Sequence, residues 1–260
     1  MIFCRVLAVA ALAFAGASGC NTLFPELAGN KASDLAGHDG GADFGANLAG
    51  ALLHGAVCRL TDLRTPTSCK AAASGRLVTI AETGLSTTTA TDGSFSFPTV
   101  GDSATVIVSD PLGSALISRP TVSMLAGATL AGAKVHGVLL PVIDAQTYQQ
   151  VELDNGIDSD SSRGALVGWA VSNSGAVVPG VVASRIASGV GPLYDSGDGT
   201  VLQASARAGS FGAIAFFDLP VGTSSFTVAP PAGSGAGGNT FTLPVRAGAV
   251  TTAALTLPPG

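Results

Sequence analysis

The chain has 260 residues and a formal net charge of −5, and only 11% of its residues are charged. Hydrophobic residues make up 47% but aromatic residues only 5%, so small residues supply much of the apolar content. Nucleic-acid-binding surfaces cluster Lys and Arg against phosphate, whereas the 12 basic residues of this chain are scattered along it. The composition therefore argues against a nucleic-acid partner and favours thin β-layers, and the length allows one or two domains.

The N-terminus has the pattern of a secretory signal peptide. Arg5 and the amino terminus supply positive charge, and Val6 to Ala15 form a short unbroken apolar run. This run is much shorter than the roughly 20 residues of a membrane-spanning helix. A charged start, a short apolar core and small residues after it are typical of export, rather than of a buried helix in a cytosolic domain.

The stretch Ala17-Ser18-Gly19-Cys20 resembles a bacterial lipobox, with Ala17 standing where Leu is usual. The resemblance to bacterial lipoproteins implies that residues 1–19 are removed and that Cys20 is diacylated on sulfur. Asn21 follows, and by the same resemblance the absence of Asp there implies an outer-membrane anchor, on the periplasmic or the outer face. The alternative is ordinary signal-peptidase cleavage after Ala17.

Cysteine usage agrees with an exported chain. Of the four cysteines, Cys4 is lost with the signal peptide and Cys20 carries lipid, which leaves Cys58 and Cys69 as a pair. An oxidising compartment favours a disulfide between them, and closing so short a loop stabilises a fold by about 3 kcal/mol in the chain-entropy model. Two free thiols or a metal site are the alternatives, but His54 alone does not complete a zinc ligand set.

Residues 20–50 are predicted to form a flexible tether. Gly, Ala, Asp and Asn dominate this stretch, and hydrophobic periodicity is weak. Such composition is typical of linkers. The segment His38 to Asp43 could be interpreted as a metal-ligand cluster, but a solvated linker is favoured because nothing in the pattern fixes its geometry.

Residues 51–141 show strand patterns. Arg76 to Ala81 alternates β-branched residues, and Asp92-Gly93 between alternating segments predicts a β-hairpin. Phe95 and Phe97 have a spacing of two, so both rings point to one face and are expected to be buried. Further strands are predicted around Val106, Val108, Val122, Leu125, Leu130 and Val135 to Leu140.

The stretch Thr91 to Phe97, TDGSFSF, followed by Val100-Gly101 and an alternating Val strand, resembles a carboxypeptidase regulatory-like domain. The resemblance covers about residues 55–141. It implies a transthyretin-like β-sandwich in which the two Phe rings pack between the sheets.

Residues 142–162 are predicted to be a linker that contains a short helix. Asp144 can cap the helix, and Asn155-Gly156 ends it. Three acidic residues near its end, Asp154, Asp158 and Asp160, raise the possibility of a calcium loop. A polar linker is favoured, since the Gly and Glu positions of an EF-hand loop hold other residues.

Residues 163–260 repeat the order of elements of the first half. Ala213 to Val228 place a Phe-rich strand, a Leu-Pro-Val-Gly turn and an alternating strand in the same order as the first module. Order-matched elements favour a duplicated module. The alternative is that any all-β chain with Gly/Pro turns can be aligned in this way.

The sequence carries no familiar nucleophile, zinc, P-loop or dinucleotide motif. The three histidines, His38, His54 and His136, lack ligand spacing, and His136 is expected inside an apolar strand. Trp169 and Tyr194 could form a sugar-stacking platform but are better interpreted as core rings. Asp195 and Asp198 could hold calcium or a sugar, although Asp at a turn commonly binds the local backbone.

These observations predict an all-β protein with two tandem antiparallel β-sandwich domains, transthyretin-like or Ig-like, after a signal peptide and a flexible linker. The domains are predicted at 51–141 and 163–260. We expect a lipid-anchored, non-enzymatic surface protein with a structural or binding role, without cofactor or metal. Its expected partners are the membrane, through Cys20, and a surface protein or polysaccharide. The alternative function is that of a carbohydrate- or peptidoglycan-binding accessory protein.

Overall fold

The computed structural model describes residues 53–98, 100–111, 117–195 and 202–260. The strands of the first half are β1 Leu53–Leu60, β2 Ala71–Ala72, β3 Leu77–Ile80, β4 Ser86–Thr88, β5 Ser94–Phe97, β6 Ser103–Ser109, β7 Ser118–Arg119, β8 Thr121–Ala126 and β9 Val138–Asp144. Those of the second half are β10 Gly164–Ser172, β11 Val182–Ala183, β12 Val190–Tyr194, β13 Gln203–Ala204, β14 Ala213–Leu219, β15 Gly222–Ala229, β16 Asn239–Val245 and β17 Val250–Leu257. Helix α1 spans Gly127–His136, helix α2 spans Ala145–Asp154, and a 3-10 turn covers Pro66–Ser68.

The first module is a β-sandwich. In one sheet, β1 pairs with β5 and β2 in antiparallel fashion on one side and with β9 in parallel on the other, and β7 follows β9. The facing sheet has the antiparallel order β4-β3-β6-β8. Alternate residues of β5 and β6 are buried, as the period of two requires when one face of each strand meets the core.

The second module repeats this pairing scheme. Its first strand, β10, pairs in antiparallel fashion with β14 and in parallel with the last strand, β17, as β1 does with β5 and β9. A second sheet, β11-β15-β16, corresponds in order and direction to β3-β6-β8. The fold is therefore all-β and sandwich-like as predicted, and each half adds one parallel pair between its first and last strands.

The two modules share one sheet. Strand β17 pairs in parallel with β8, with Val250 opposite Thr121 and Thr251 opposite Val122. This pairing joins the strands into a continuous nine-stranded sheet in the order β13-β12-β14-β10-β17-β8-β6-β3-β4. The Val250 N–H also donates to the Pro120 carbonyl at 2.8 Å.

Strand β10 is buried on both faces. Every residue of β10 except Ser172 is buried. Leu166 and Ala170 pack in the core beneath the β11-β15-β16 sheet, whereas Val167 and Trp169 belong to the core of the first module. A strand covered on both sides reads as a continuous apolar run rather than an alternating one, and the sequence Ala-Leu-Val-Gly-Trp-Ala-Val fits that rule.

Helix α1 corrects two strands predicted around Leu130 and from Val135. The segment GATLAGAKVH contains Ala and Leu, which favour a helix, and Lys134 and His136 lie in the last turn, where cations are favourable. Gly137, at φ 79°, then turns the chain, and β9 begins at Val138. His136 is consequently an exposed helix residue and not part of an apolar strand.

The turn at Asp92-Gly93 forms, but it does not close a hairpin within one sheet. Strand β4 pairs with β3, whereas β5 pairs with β1, so the chain crosses between the two sheets here. The Asp92 carboxylate accepts from the Ser94 N–H at 2.9 Å. A Cβ on Gly93 would lie 2.6 Å from the Val57 carbonyl oxygen, so close docking onto β1 requires glycine.

Buried residues of both modules form one core, here called the shared core, which includes Phe217. Phe217 is fully buried and its ring lies 5.3 Å from that of Tyr148 on α2. Phe217→Ala should lower the free energy of unfolding by about 3–5 kcal/mol, because a buried ring is replaced by a cavity. Denaturant unfolding measures this loss.

Phe211→Ala is the matched control, because Phe211 is 36% exposed. It should cost less than about 1 kcal/mol. Equal losses for the two variants would contradict the placement of Phe217 in the shared core.

Candidate functional site

The predicted disulfide is present in the structure. Cys58 on β1 and Cys69 after the 3-10 turn are bonded, with their Cα atoms 5.3 Å apart. Both residues are buried, at 1% exposure. The bond closes the loop of residues 58–69, here called the disulfide loop, and ties it to the core of the first module.

Several residues singled out from the sequence lie outside the described part of the chain. These are Cys20, the segment His38 to Asp43, and Asp198. The lipid anchor therefore stays a prediction.

The two rings considered for sugar stacking are core residues. Trp169 and Tyr194 are each 1% exposed. The Tyr194 hydroxyl accepts from the Ala183 N–H at 2.9 Å, which ties β12 to β11. Neither ring can stack on a sugar at the surface.

The acidic residues considered for calcium have local partners or face solvent. Asp158 and Asp160 are exposed, and the Asp160 carboxylate accepts from the Ser162 N–H at 2.8 Å. Within residues 53–98, 100–111, 117–195 and 202–260, no group of three or more His, Cys, Asp or Glu residues is placed to hold a metal ion.

Asp195 organises a loop through its buried carboxylate. It accepts from the backbone N–H groups of Gly209, Phe211 and Ala213 at 2.9, 2.6 and 3.0 Å. Three such bonds use most of the acceptor positions of a carboxylate. Its role is therefore to hold the chain between β13 and β14, in keeping with the turn role expected of such residues.

A cleft, here called the α2 cleft, lies where the disulfide loop, α2 and the second module meet. It has a volume of about 320 Å³. Its lining consists of Thr61, Asp62, Leu63, Gln146, Thr147, Gln150, Val151 and Leu202. Leu63, Val151 and Leu202 are almost fully buried, so the accessible lining of the cleft is mainly polar.

An ion pair beside the cleft links β1 to the residue that precedes α2. The Arg59 guanidinium donates to both carboxylate oxygens of Asp144, at 2.9 and 2.8 Å. Arg59 lies two residues before Thr61, and Asp144 immediately precedes α2. Asp144 was expected to cap α2, but its side chain makes no capping bond and binds Arg59 instead.

The disulfide loop is held internally as well. The Asp62 N–H donates to the Ser68 hydroxyl at 3.0 Å, and that hydroxyl donates to the Thr65 carbonyl at 3.0 Å. The Arg64 guanidinium donates to Asp62 at 2.7 Å. The wall that carries Thr61 and Asp62 is thus formed in advance of any ligand.

No local pattern in the sequence identifies the α2 cleft. Its lining comes from three separate segments of the chain, and only the fold brings them together. The one local signal is the pair Gln146 and Gln150, four residues apart and therefore on the same side of α2.

The described helices include none that is long and apolar enough to cross a membrane. No protein-family model matches the chain, and no curated protein does so either.

Several solved structures share weak similarity with the chain. The minor pilin GBS52 of Streptococcus agalactiae is 12% identical with a TM-score of 0.27, over 80% of this chain and 96% of that pilin. The Bacillus anthracis TIE protein is 11% identical with a TM-score of 0.25, over 80% of this chain and 34% of its own. The shaft pilin SpaA of Lactobacillus rhamnosus GG is 10% identical with a TM-score of 0.23, over 80% and 98%. Similarity at TM-scores this low does not identify a shared fold or a shared function.

The two tyrosines of the chain, Tyr148 and Tyr194, should titrate only at high pH. Burial, with the nearby Glu152 carboxylate, raises the pKa of Tyr148 to about 12, and burial also raises the pKa of Tyr194. Above a pH of about 10 the unfolded chain loses these protons and the folded chain keeps them. The stability that these two rings contribute is therefore fully present below pH 10 and falls as the pH rises towards 12.

Ultraviolet absorbance of tyrosinate follows this titration. We expect neither tyrosine to ionise near the ordinary tyrosine pKa of about 10. At higher pH the tyrosinate absorbance of both rings should rise together as the protein unfolds. If either ring titrated near pH 10 in the folded protein, the assignment of that ring to the core would be wrong.

Proposed function

We propose that the chain is an exported lipoprotein, anchored to the outer membrane through Cys20, whose two β-sandwich modules have a non-catalytic structural or binding role. The observation that carries the proposal is the nine-stranded sheet that runs through both modules. It makes a stiff body that a tether can hold away from a lipid surface.

The physical case for a stiff body rests on the junction between the modules. Linked domains commonly meet through limited polar interfaces and move relative to each other. Here the junction includes strand pairing between β8 and β17 and a buried hydroxyl pair, Ser123 Oγ and Thr252 Oγ1, at 3.1 Å. Bending at this junction would break backbone hydrogen bonds inside a sheet, so loops at one end keep a fixed position relative to the other.

The case for the anchor rests on residues 17–20 and on the disulfide. A bond between Cys58 and Cys69 suits an oxidising compartment outside the cytoplasm. Each lipid methylene buried in the membrane contributes about 0.8 kcal/mol, and two or more chains give stable attachment. The residues up to about 50 then serve as the tether.

The carboxypeptidase regulatory-like character of the first module is part of the proposal. Phe95 and Phe97 are buried with their ring centroids 6.0 Å apart, as the resemblance implies. The alternative of carbohydrate or peptidoglycan binding is weakened, because it called for an exposed Trp169 and Tyr194, and both rings are buried.

The anchor is tested by mass analysis of the membrane fraction from cells that express the full chain. We expect a diacylated N-terminal fragment that begins at Cys20. Cys20→Ser should release the protein from the membrane, because the thiol that carries the lipid is lost.

Cys4→Ser is the matched control and should leave the protein in the membrane fraction, since Cys4 lies within the segment removed on export. A soluble product that begins at Ser18 would show ordinary signal cleavage and would overturn the anchor.

A further inference from the structure

We infer that the Asn155 side chain is a latch between α2 and the second module, and that hydrolysis of its amide opens this latch irreversibly. The latch consists of two hydrogen bonds from the Asn155 amide nitrogen, one to α2 and one to the second module. The inference concerns a spontaneous modification of the chain itself and does not depend on the lipid anchor.

The Asn155 side chain joins two parts of the chain that are distant in sequence. Its Nδ2 donates to the Val151 carbonyl and to the Leu202 carbonyl, each at 2.8 Å. Val151 lies near the end of α2 and Leu202 directly precedes β13, and both residues are buried. Because both partners are acceptors, only the amide nitrogen fits between them, and both of its hydrogens are used.

A carboxylate at position 155 would break both bonds. Once ionised it can only accept hydrogen bonds, so it would face two carbonyl oxygens with no donor between them. Its charge would also lie at the C-terminal end of α2, where the helix dipole disfavours anions. Glu152 and Asp154 already lie in this last turn, which contains no basic residue. Conversion of Asn155 to an acid therefore removes the latch and adds repulsion.

The residue after Asn155 makes its amide open to such a conversion. Asn155-Gly156 is the only Asn-Gly pair in the sequence. The chain leaves α2 with residue 156 at φ 62°, a conformation that favours glycine. Glycine has no Cβ to shield its backbone nitrogen, so the Gly156 nitrogen is an unhindered nucleophile. Two separate structural demands thus place a hydrolysable amide beside it.

The reaction needs only water as a co-reactant. The Gly156 nitrogen bonds to Asn155 Cγ and loses its proton, while the bond from Cγ to Nδ2 breaks and ammonia leaves. Water then opens the five-membered succinimide at one of its two carbonyls, which gives aspartate or isoaspartate at position 155. Neither product has a side-chain nitrogen, so the latch cannot form again.

The folded structure holds this reaction back. The ψ angle of Asn155 is 4°, so the Gly156 nitrogen nearly eclipses the backbone nitrogen of Asn155 and lies away from Cβ, whereas ring closure needs it on the side of Cβ. The Gly156 N–H also donates to the Leu153 carbonyl at 3.2 Å, and the Ile157 N–H to the Glu152 carbonyl at 2.8 Å. Attack therefore requires local opening at the end of α2, and the modified fraction records how often this end has opened.

Peptide mapping by mass spectrometry tests the conversion. The full chain is incubated in mildly alkaline buffer, once folded and once unfolded in guanidinium chloride, with the disulfide intact in both samples. We expect the peptide that contains Asn155 to show the mass change from amide to acid, with isoaspartate, in the unfolded sample. The folded sample should convert at least about tenfold more slowly, because attack then requires local opening. Equal rates, or no conversion in the unfolded chain, would overturn the inference.

Substitution tests the latch itself. Asn155→Asp should raise the unfolding equilibrium constant at least about tenfold and should speed hydrogen exchange of the α2 backbone amides. Asn155→Ala removes both bonds without adding charge and should also speed this exchange. Asn173→Asp is the matched control, because Asn173 is exposed in the turn after β10, and it should leave both measurements unchanged.

Two results from these variants would show that the Asn155 amide is not a latch. One is an Asn155→Asp variant that is as stable as Asn173→Asp. The other is an Asn155→Ala variant in which the α2 amides exchange as slowly as in the unmodified chain, since the bonds would then contribute nothing to holding α2.

Discussion

The pairing of β17 with β8 is the constraint on which the rest of the structure depends. A sandwich module can close its own core, but its outermost strands still offer unpaired backbone groups. Here β17, the edge strand of one module, pairs with β8, the edge strand of the other. Backbone groups that would otherwise be open to a further strand thus bond to each other within the chain. Strand β17 therefore completes both its own module and the junction with the first.

This junction determines how the interior is filled. Because the first sheet of the second module is covered on both faces, Val167 and Trp169 lie in a core with residues of the first module. Helix α2 seals the region between the modules, with Tyr148 packed against Phe217. The segment predicted as a linker is thus also a packing element, and the α2 cleft exists because the segment packs there.

Each module also uses a buried carboxylate to hold a loop. Asp110 pairs with Arg76 and accepts from the N–H groups of Ile117 and Ser118 at 2.8 and 2.9 Å. Asp195 holds three backbone N–H groups in the second module. A buried charge is stable only when it is paired or hydrogen-bonded, so both loops are held at their bases by bonds that would be costly to break.

Local patterns in the sequence predicted local features well. The spacing of Phe95 and Phe97 predicted their burial, the count of cysteines predicted the pair Cys58 and Cys69, and the residues after Asp144 predicted α2. Helix α1 was not predicted, because its Gly- and Ala-rich segment has no clear apolar period. In such a segment, packing against the rest of the fold decides between helix and strand.

The junction and the cleft could not be predicted in the same way. Both depend on which strand edges meet, and edge pairing has no local periodicity. The apolar run of β10 did carry a signal, since unbroken hydrophobicity indicates cover on two faces. This signal did not show which part of the chain covers the second face of β10.

The central claim, that strand pairing makes the two modules one body, is tested most directly by scanning calorimetry of the full chain. The account predicts a single transition in which the calorimetric and van't Hoff enthalpies agree, because neither module can lose its core without breaking the shared sheet. Two separate transitions, each with about half of the total enthalpy, would show that the modules unfold independently and would contradict the account.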